Sequence, residues 1–355
     1  MDMPTPSSQP TSPDDEFHID EDEELDLGDT PSEEIPSAED SAPHPMAVMD
    51  TPPQRDRIVV LGRTRAGKTI YLARLYEQCW NQEGPLRIEA HDGRTHLALL
   101  NVVEEMQEHH RWPPATEANS YLDLQITWKG RNLTMVSLDY PGEVFRRAFV
   151  QQVEDEDTRE LIDHVRRASA MLLLIDPKVL ATGRLGEAAD DDFGMVQAMR
   201  YLRSLPGGMD VPIALVLTKI DENAALLRQH GKLRGFALKF CGNLIRTVPR
   251  IRIFGVCAVR VRRGSNGQPL PELGRPPRGL TGPVEFCMQR VFAQRHAENR
   301  NRAMTAFKDR VQREEVRAVI EERTNDRFWL TVNTLLVVGV VLVGIVTWFI
   351  VKSSN

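Results

Sequence analysis

Short apolar runs recur along the middle of the chain, and longer stretches with helical periodicity separate them. Continuous apolar runs are typical of buried strands, whereas strict alternation of apolar and polar residues is typical of a half-exposed strand. The first pattern predicts strands at Arg57–Leu61, Leu133–Leu138, Ser169–Ile175, Val211–Leu217 and Ile251–Val256. The second predicts a strand at Tyr121–Trp128, followed by a hairpin turn at 129–132. Strands that alternate with helices predict an α/β doubly wound fold, a mostly parallel sheet flanked by helices.

The segments between these strands predict the helical layer and its loops. Helices are expected at Ile70–Trp80, Arg94–His110, and near 158–168, 188–205 and 222–246. Residues 81–120 form a long insertion after the first helix. Residues 260–283 are rich in Gly, Pro and Arg, which predicts a loop, and Pro283 opens a final helix.

Both ends of the chain depart from this pattern. Residues 1–55 are acidic, rich in Pro and Ser and poor in large apolar residues, which predicts a disordered tail. Residues 295–328 carry mixed charge and predict a solvated helical stalk. Trp329–Val351 contains 23 residues without a charge. As a helix it would span about 34 Å, enough to cross a bilayer core. The expected organisation is a tail at 1–55, a main domain at 56–294, the stalk at 295–328 and a transmembrane helix at 329–351.

The residues that flank the apolar stretch predict its orientation. Trp329 and Trp348 lie near its two ends, as interfacial aromatic residues do. Arg317, Arg323 and Arg327 precede it, so the positive-inside rule keeps the large N-terminal part in the cytoplasm. We therefore expect a single-pass, tail-anchored membrane protein. A bacterial inner membrane is the preferred location, although a eukaryotic tail anchor would have the same pattern.

Residues 62–69 carry the strongest candidate chemistry. They fit the phosphate-binding pattern GxxxxGK[ST] and lie between a predicted strand and a predicted helix. Backbone N–H groups and the helix dipole would then face a phosphate. Lys68 would reach the β- and γ-phosphates, and the Thr69 hydroxyl would ligate Mg²⁺. The residues of the loop are Gly62, Arg63, Thr64, Arg65, Ala66, Gly67, Lys68 and Thr69.

Three later motifs turn a generic triphosphate site into a guanine-nucleotide site. In Asp139-Tyr140-Pro141-Gly142, Asp139 can hold Mg²⁺ through a water and the Gly142 N–H can bond the γ-phosphate. In Thr218-Lys219-Ile220-Asp221, the carboxylate can accept hydrogen bonds from guanine N1 and the 2-amino group, a donor pair that adenine lacks. The Lys219 stem can lie along the base. A backbone N–H of Cys257-Ala258 could contact guanine O6.

Together these residues resemble the small GTPase-like branch of P-loop NTPases over roughly 56–294. The resemblance implies a mostly parallel sheet flanked by helices, bound Mg²⁺, and switching between GTP and GDP states. Thr218 stands where the family usually has Asn, and Cys257 where it usually has Ser. Residues 112–116, 139–143 and 175–177 are similar to bacterial double-GTPase-like proteins, a narrower resemblance.

The residues for hydrolysis are less clearly indicated. Glu143 stands where Ras-like members often have Gln, and its charge beside a polyanion predicts slow intrinsic hydrolysis. Arg65 could supply positive charge like an arginine finger, in cis or across a dimer, or it could point to solvent. Thr116 is favoured over Thr95 as the Mg²⁺ ligand of the first switch. Competitors for the arginine role are Arg63, Arg146 and Arg147.

The preferred function is a membrane-anchored GTP-binding switch with GTPase activity. Its GTP state would recruit an unknown cytosolic effector through residues near 110–120 and 139–155. The alternatives are a dimerising GTPase that acts on the membrane, and a nucleotide-binding scaffold with little hydrolysis. An ATPase is least favoured because the 218–221 motif would then have no role. No nucleic-acid partner is expected, and a homodimer stays open.

The net charge of −7 conceals an uneven distribution. Residues 1–50 contain 16 Asp and Glu and no Lys or Arg, whereas the other 305 residues hold 44 basic against 35 acidic residues. The simplest role of the acidic tail is a solvating leader. Alternatively, it could fold onto the basic remainder and mask the switch face.

Overall fold

The computed structural model describes residues 22–24, 54–62, 65–80, 82, 84–114, 121–138, 142–182, 185–248 and 250–353. For a few stretches of helix and strand only the backbone is described: 22–24, 138, 142–143, 185–193, 318–319, 321–322, 326, 342–343 and 345–353. The chain divides into two compact units, Met1–Phe292 and Ala293–Asn355. The functional division into tail, main domain, stalk and transmembrane helix stays a prediction.

Eight described strands form one sheet, and two more pair as a separate hairpin. The strands of the sheet are β1 (Asp22–Glu24), β2 (Arg57–Gly62), β3 (Leu86–Ala90), β4 (Tyr121–Trp128), β5 (Arg131–Leu138), β6 (Ala168–Ile175), β7 (Ile213–Leu217) and β8 (Ile251–Gly255). The hairpin consists of β9 (Arg260–Arg263) and β10 (Pro269–Glu272). The order in the sheet is β1-β8-β7-β6-β2-β5-β4-β3. The five central strands are parallel, and β1, β3 and β4 are antiparallel to their neighbours.

Helices connect the parallel strands and cover both faces of the sheet. They are α1 (Lys68–Cys79), α2 (Gly93–Gln107), α3 (Gly142–Arg146), α4 (Glu156–Arg166), α5 (Pro177–Thr182), α6 (Leu185–Ser204), α7 (Ala224–Gln229), α8 (Lys232–Phe240), α9 (Gly242–Thr247) and α10 (Gly282–Ser353). α3 continues into a π-helical turn at Arg147–Gln151. The predicted α/β fold with a mostly parallel sheet flanked by helices is confirmed.

The continuous apolar runs reflect burial on both faces of the central strands. Every residue of β6 and β7 is buried. Successive strand residues point to opposite faces of the sheet, so neighbouring residues of β2 belong to different core clusters. Val59 packs in one cluster with Met199 and Phe236. Ile58 packs in the other cluster with Tyr71 and Val284. This two-sided core supports the carboxyl ends of the parallel strands, where the candidate site lies.

Three elements differ from the sequence predictions, each for a local reason. The insertion at 81–120 contains β3, a short strand in which Leu86 and Ile88 are buried and the residue between them is exposed. The predicted loop at 260–283 contains the β9–β10 hairpin. The single helix predicted near 222–246 is three helices, and Gly231 separates the first two with a left-handed φ of 79°.

α10 extends through the predicted stalk and the apolar stretch that follows it. Across the residues that the structure describes, no helix is long and apolar enough to cross a membrane. The span predicted at Trp329–Val351 includes residues 342–343 and 345–351, whose side chains lie outside the described part of the chain. Similarly, β1 lies within the segment predicted to be disordered, and of that segment only residues 22–24, 54 and 55 are described.

A buried histidine beside β2 predicts acid sensitivity of the fold. His164 is 6% exposed, and its Nδ1 accepts a hydrogen bond from Arg57 Nη1 at 2.9 Å. Burial, and secondarily the Arg57 charge, lowers the pKa of His164 from 6.5 to about 4. Between these values the unfolded chain binds a proton that the folded chain does not, so stability falls as the pH falls. The loss would reach about 3 kcal/mol at most.

We therefore expect the unfolding free energy to decrease from about pH 6.5 towards pH 4. His164→Gln should flatten this part of the profile in denaturant titrations. His109→Gln, at an exposed position, is the matched control and should leave the profile unchanged. Parallel profiles for wild type and His164→Gln would contradict the assignment.

Candidate nucleotide-binding site

The loop between β2 and α1 has the backbone geometry of a phosphate cradle. Gly67 caps α1 with a φ of 82°, a left-handed conformation that glycine adopts without steric strain. Lys68 follows as the first residue of α1, and its Nζ donates to the Gly62 carbonyl at 2.8 Å. Arg65 also has a positive φ, of 68°, and is exposed. Arg63 and Thr64 lie outside the described residues, and Thr69 lies in the first turn of α1.

The loop packs tightly against the neighbouring strand at its first residue. Gly62 pairs in register with Leu174 of β6. A Cβ atom added to Gly62 would lie 2.6 Å from the Leu174 carbonyl oxygen and 3.2 Å from its Cβ. Only glycine therefore fits at this position without displacement of β2 from β6.

The residues that follow β7 bond directly to the phosphate loop. Thr218 Oγ1 donates to the Ala66 carbonyl at 2.9 Å. Lys219 Nζ donates to the Arg65 carbonyl at 3.1 Å, and the Lys219 backbone has a left-handed φ of 53°. Thr218 and Ala66 are 152 residues apart in the sequence, and the sheet brings them into hydrogen-bonding distance. The phosphate loop and the 218–221 motif are therefore adjacent in the structure.

Asp221 carries a polar atom that no described residue satisfies. Its Oδ1 is buried and has no hydrogen-bond partner within the described residues. Burial, and then the negative charge of Asp221, raises the pKa of the adjacent Cys257 thiol. A buried oxygen without a donor destabilises the fold, so its presence fits a ligand that brings N–H groups to it. Guanine N1 and its 2-amino group have this chemistry.

A cleft lies between the loop and these later motifs. Its lining includes Gly67, Ile70, Trp112, Lys219, Ala258 and Val259. Trp112 Nε1 donates to the Pro269 carbonyl at 2.9 Å, so the β9–β10 hairpin fixes one wall of the cleft. The loop therefore adjoins a small recess with an aromatic wall, a lysine stem and a nearby buried carboxylate.

Residues 56–265 match a family model described as Double-GTPase 2, which is more than half of the chain. The chain belongs to the Double-GTPase 2 family. Membership assigns a P-loop GTPase domain and a guanine-nucleotide-binding function of GTPase type to this region. A comparison with curated protein sequences finds no significant match.

Three solved structures show what this Double-GTPase 2 chain is similar to. Roco2 RocCORdC of Methanosarcina barkeri bound to GDP has 16% identity and a TM-score of 0.32, with 68% of this chain and 50% of that chain covered. The ADP-ribosylation-factor-like GTP-binding protein, or small COPII coat GTPase SAR1, of Encephalitozoon cuniculi with GDP has 11% identity and a TM-score of 0.34, covering 69% and 84%. The putative nucleolar GTP-binding protein 1 of Plasmodium falciparum has 10% identity and a TM-score of 0.38, covering 74% and 100%. The chain thus spans half the length of the first of them.

The predicted magnesium and hydrolysis residues of this Double-GTPase 2 domain are only partly described. Thr116 and Asp139 lie outside the described residues, as does the side chain of Glu143. Gly142 begins α3. The competitor Thr95 is buried in the first turn of α2, and its backbone N–H donates to Asp92 Oδ1 at 2.6 Å. Their roles stay predictions.

Asp176, which directly follows β6, entered the sequence analysis only within the 175–177 resemblance and was given no role there. Its buried carboxylate accepts hydrogen bonds from Lys219 Nζ at 2.7 Å and from Asn223 Nδ2 at 3.3 Å. The Lys178 backbone N–H donates to the same group at 2.9 Å. Asp176 therefore holds the side chain of Lys219, the lysine of the 218–221 motif, in place. Its position at the carboxyl end of a central parallel strand was the available signal.

Proposed function

We propose that this chain is a guanine-nucleotide switch that binds GTP and GDP with Mg²⁺ and hydrolyses GTP slowly. The observation that carries the proposal is the buried Oδ1 of Asp221 beside a phosphate loop, an oxygen that has no partner in the part of the chain that the structure describes. Thr218 and Lys219 hold that loop through its carbonyl groups. A nucleotide with a guanine base would satisfy Asp221 and place its phosphates at the N-terminus of α1.

The loop residues 62–69 would take the phosphates through backbone N–H groups and the Lys68 ammonium. Cys257 and Ala258 would meet the base from the segment after β8. Thr69, Thr116, Asp139 and the Gly142 N–H would complete the site around Mg²⁺ and the γ-phosphate. The metal ion would neutralise phosphate charge when bound.

Hydrolysis is proposed to be slow because a carboxylate at Glu143, where Ras-like proteins often have Gln, would repel the charge of the phosphates rather than stabilise it. Arg65 is the proposed source of compensating positive charge, since it is exposed in the loop itself. Glu143→Gln should leave single-turnover GTP hydrolysis at a similar or higher rate. A fast single-turnover rate of GTP hydrolysis in wild type that is largely lost in Glu143→Gln would refute slow hydrolysis.

Nucleotide binding by the full chain tests the function itself. Fluorescent GTP, GDP and ATP analogues are titrated in the presence of Mg²⁺. We expect GTP and GDP to bind at least about 100-fold more tightly than ATP, because a buried carboxylate left without donors rejects the analogue that lacks them. Equal affinity for ATP would overturn the proposal.

The contacts of Asp176 lead to a prediction about orientation. Asp176→Asn keeps the shape of the side chain but removes the negative charge that holds Lys219 at 2.7 Å. We expect GTP and GDP to bind about 10-fold more weakly, in line with about 1.5 kcal/mol for a charge-assisted hydrogen bond. Glu108→Gln, an exposed acidic residue, is the control. If Asp176→Asn weakens nucleotide binding equally in a Lys219→Met background, Asp176 does not act by orienting Lys219, and the prediction is wrong.

We also propose that residues 329–351 anchor the chain in a membrane, with residues 56–294 in the cytoplasm, a bacterial inner membrane being the preferred site. The support is a run of 23 uncharged residues after a basic flank. The GTP state would recruit a cytosolic effector through residues near 110–120 and 139–155. The full chain should sediment with membranes and resist carbonate extraction, whereas Val338→Lys/Val341→Lys should release it. Extraction of wild type by carbonate would contradict the anchor.

A further inference from the structure

The outer edge of β8 is covered by a strand from the acidic N-terminal segment. β1 pairs antiparallel with β8, with Asp22 opposite Phe254, Glu23 opposite Ile253 and Glu24 opposite Arg252. β8 pairs with β7 on its other side, and four of its five residues are buried. Without β1, its outer N–H and C=O groups would form an open edge that could pair with another chain.

The chemistry around this edge is basic, in contrast to the strand that covers it. β1 consists only of acidic residues. Arg252 lies within β8, and its guanidinium lies over the rings of Phe254 at 5.4 Å and Phe286 at 5.5 Å. The guanidinium of Arg290 also lies over the Phe286 ring, 5.7 Å from its centroid. Opposite charges at facing positions of an antiparallel pair favour pairing.

β8 also leads directly into the base side of the candidate site. Val256, the next residue, donates its N–H to the Leu217 carbonyl at 2.8 Å and accepts from the Ile220 N–H at 3.4 Å. Cys257 then contacts Asp221. A strand on the outer edge of β8 therefore stabilises the strand that carries Cys257 and Ala258.

We propose that the outer edge of β8 is a strand-addition site for an acidic extended segment, and that residues 22–24 of the same chain occupy it. Main-chain hydrogen bonds supply the affinity in this mode of recognition, and side-chain chemistry supplies the selectivity. The 32 residues between β1 and β2 act as a tether. Because the tether makes the pairing intramolecular, β1 excludes weaker strands of other chains.

Hydrogen exchange on the full chain tests the pairing without reference to nucleotide. The variant Asp22→Pro/Glu23→Pro/Glu24→Pro removes the backbone N–H groups of β1. We expect the peptide covering residues 250–256 to exchange at least about 10-fold faster at its outward-facing amides than in wild type. Glu33→Pro/Glu34→Pro, in the same acidic segment outside the strand, should leave exchange unchanged. Equal protection of β8 in wild type and the 22–24 variant would overturn the proposal.

Two further measurements are proposed. The first distinguishes the contribution of the β1 charges from that of the backbone hydrogen bonds, and the second tests whether a separate peptide can pair with β8. Asp22→Asn/Glu23→Gln/Glu24→Gln keeps the backbone donors, so an intermediate rate of exchange is expected. A labelled peptide of residues 19–28 should bind the proline variant and not wild type in fluorescence anisotropy, because the tethered strand fills the edge only in wild type. Binding to neither protein, or equal binding to both, would overturn the strand-addition site.

Discussion

Replacing Asp221 by asparagine is expected to weaken GTP and GDP binding by roughly 100- to 1,000-fold and to shift the preference towards xanthine nucleotides. Among the residues that the structure describes, no donor reaches a buried oxygen of this carboxylate, and guanine N1 and the 2-amino group would supply one. An amide presents an N–H₂ group where an acceptor is needed, so one donor of guanine meets another donor. Xanthine has a carbonyl in place of the 2-amino group and restores a matched pair.

A second measurement on the same variant distinguishes recognition from damage to the fold. In the nucleotide-free protein the unpaired Asp221 oxygen destabilises the folded state, and the Asn side chain has the same shape without the charge. We therefore expect Asp221→Asn to have an unfolding free energy equal to that of wild type or higher, while GTP affinity falls. Loss of stability together with unchanged relative affinity for GTP and xanthosine triphosphate would contradict this role. Glu108→Gln, at an exposed acidic position outside the cleft, is the control.

The central fold could be predicted because its signals are local. β6 and β7 are buried at every position, so their continuous apolar runs were sufficient. The β9–β10 hairpin was missed because Gly, Pro and Arg dominate its composition, and only Pro271 of β10 is buried. β1 was also missed because of its composition. It is a short strand of acidic residues only, so it lacks the alternating apolar residues that predict a strand.

The candidate site could be predicted in outline because its two motifs follow parallel strands of one sheet, β2 and β7, with β6 between them. Carboxyl ends of parallel strands meet at one edge, and the Thr218–Ala66 hydrogen bond shows that they do so here. The support around them could not be predicted. The 175–177 resemblance includes Asp176 but gives it no role, and its contact with Lys219 arises only from tertiary structure. The bond from Trp112 to Pro269 likewise joins two segments that the sequence assigned to separate loops.

Gly62→Ala is expected to destabilise the domain and to weaken nucleotide binding together. The added Cβ would lie 2.6 Å from the Leu174 carbonyl oxygen, closer than real Cβ contacts allow, and that oxygen belongs to the backbone of β6. β2 would have to move away from β6 at the point where the phosphate loop begins. Overpacking of this kind costs about 2–3 kcal/mol. For a domain of this size, we expect the Tm to fall by roughly 4–12 °C.

The same displacement reaches the phosphates through Lys68, whose Nζ bonds the carbonyl of the residue that moves. Loss of one charge-assisted contact to phosphate corresponds to at least about 10-fold in affinity for GTP and GDP. Gly93→Ala is the matched control, because a Cβ at the first residue of α2 meets no atom within 4 Å. It should leave GTP affinity unchanged and the Tm equal or slightly higher, since alanine favours helix more than glycine does. Calorimetry gives the Tm of both variants, and nucleotide titration gives their affinity for GTP and GDP. A Gly62→Ala protein with the Tm of wild type would contradict close packing of β2 against β6 at the loop.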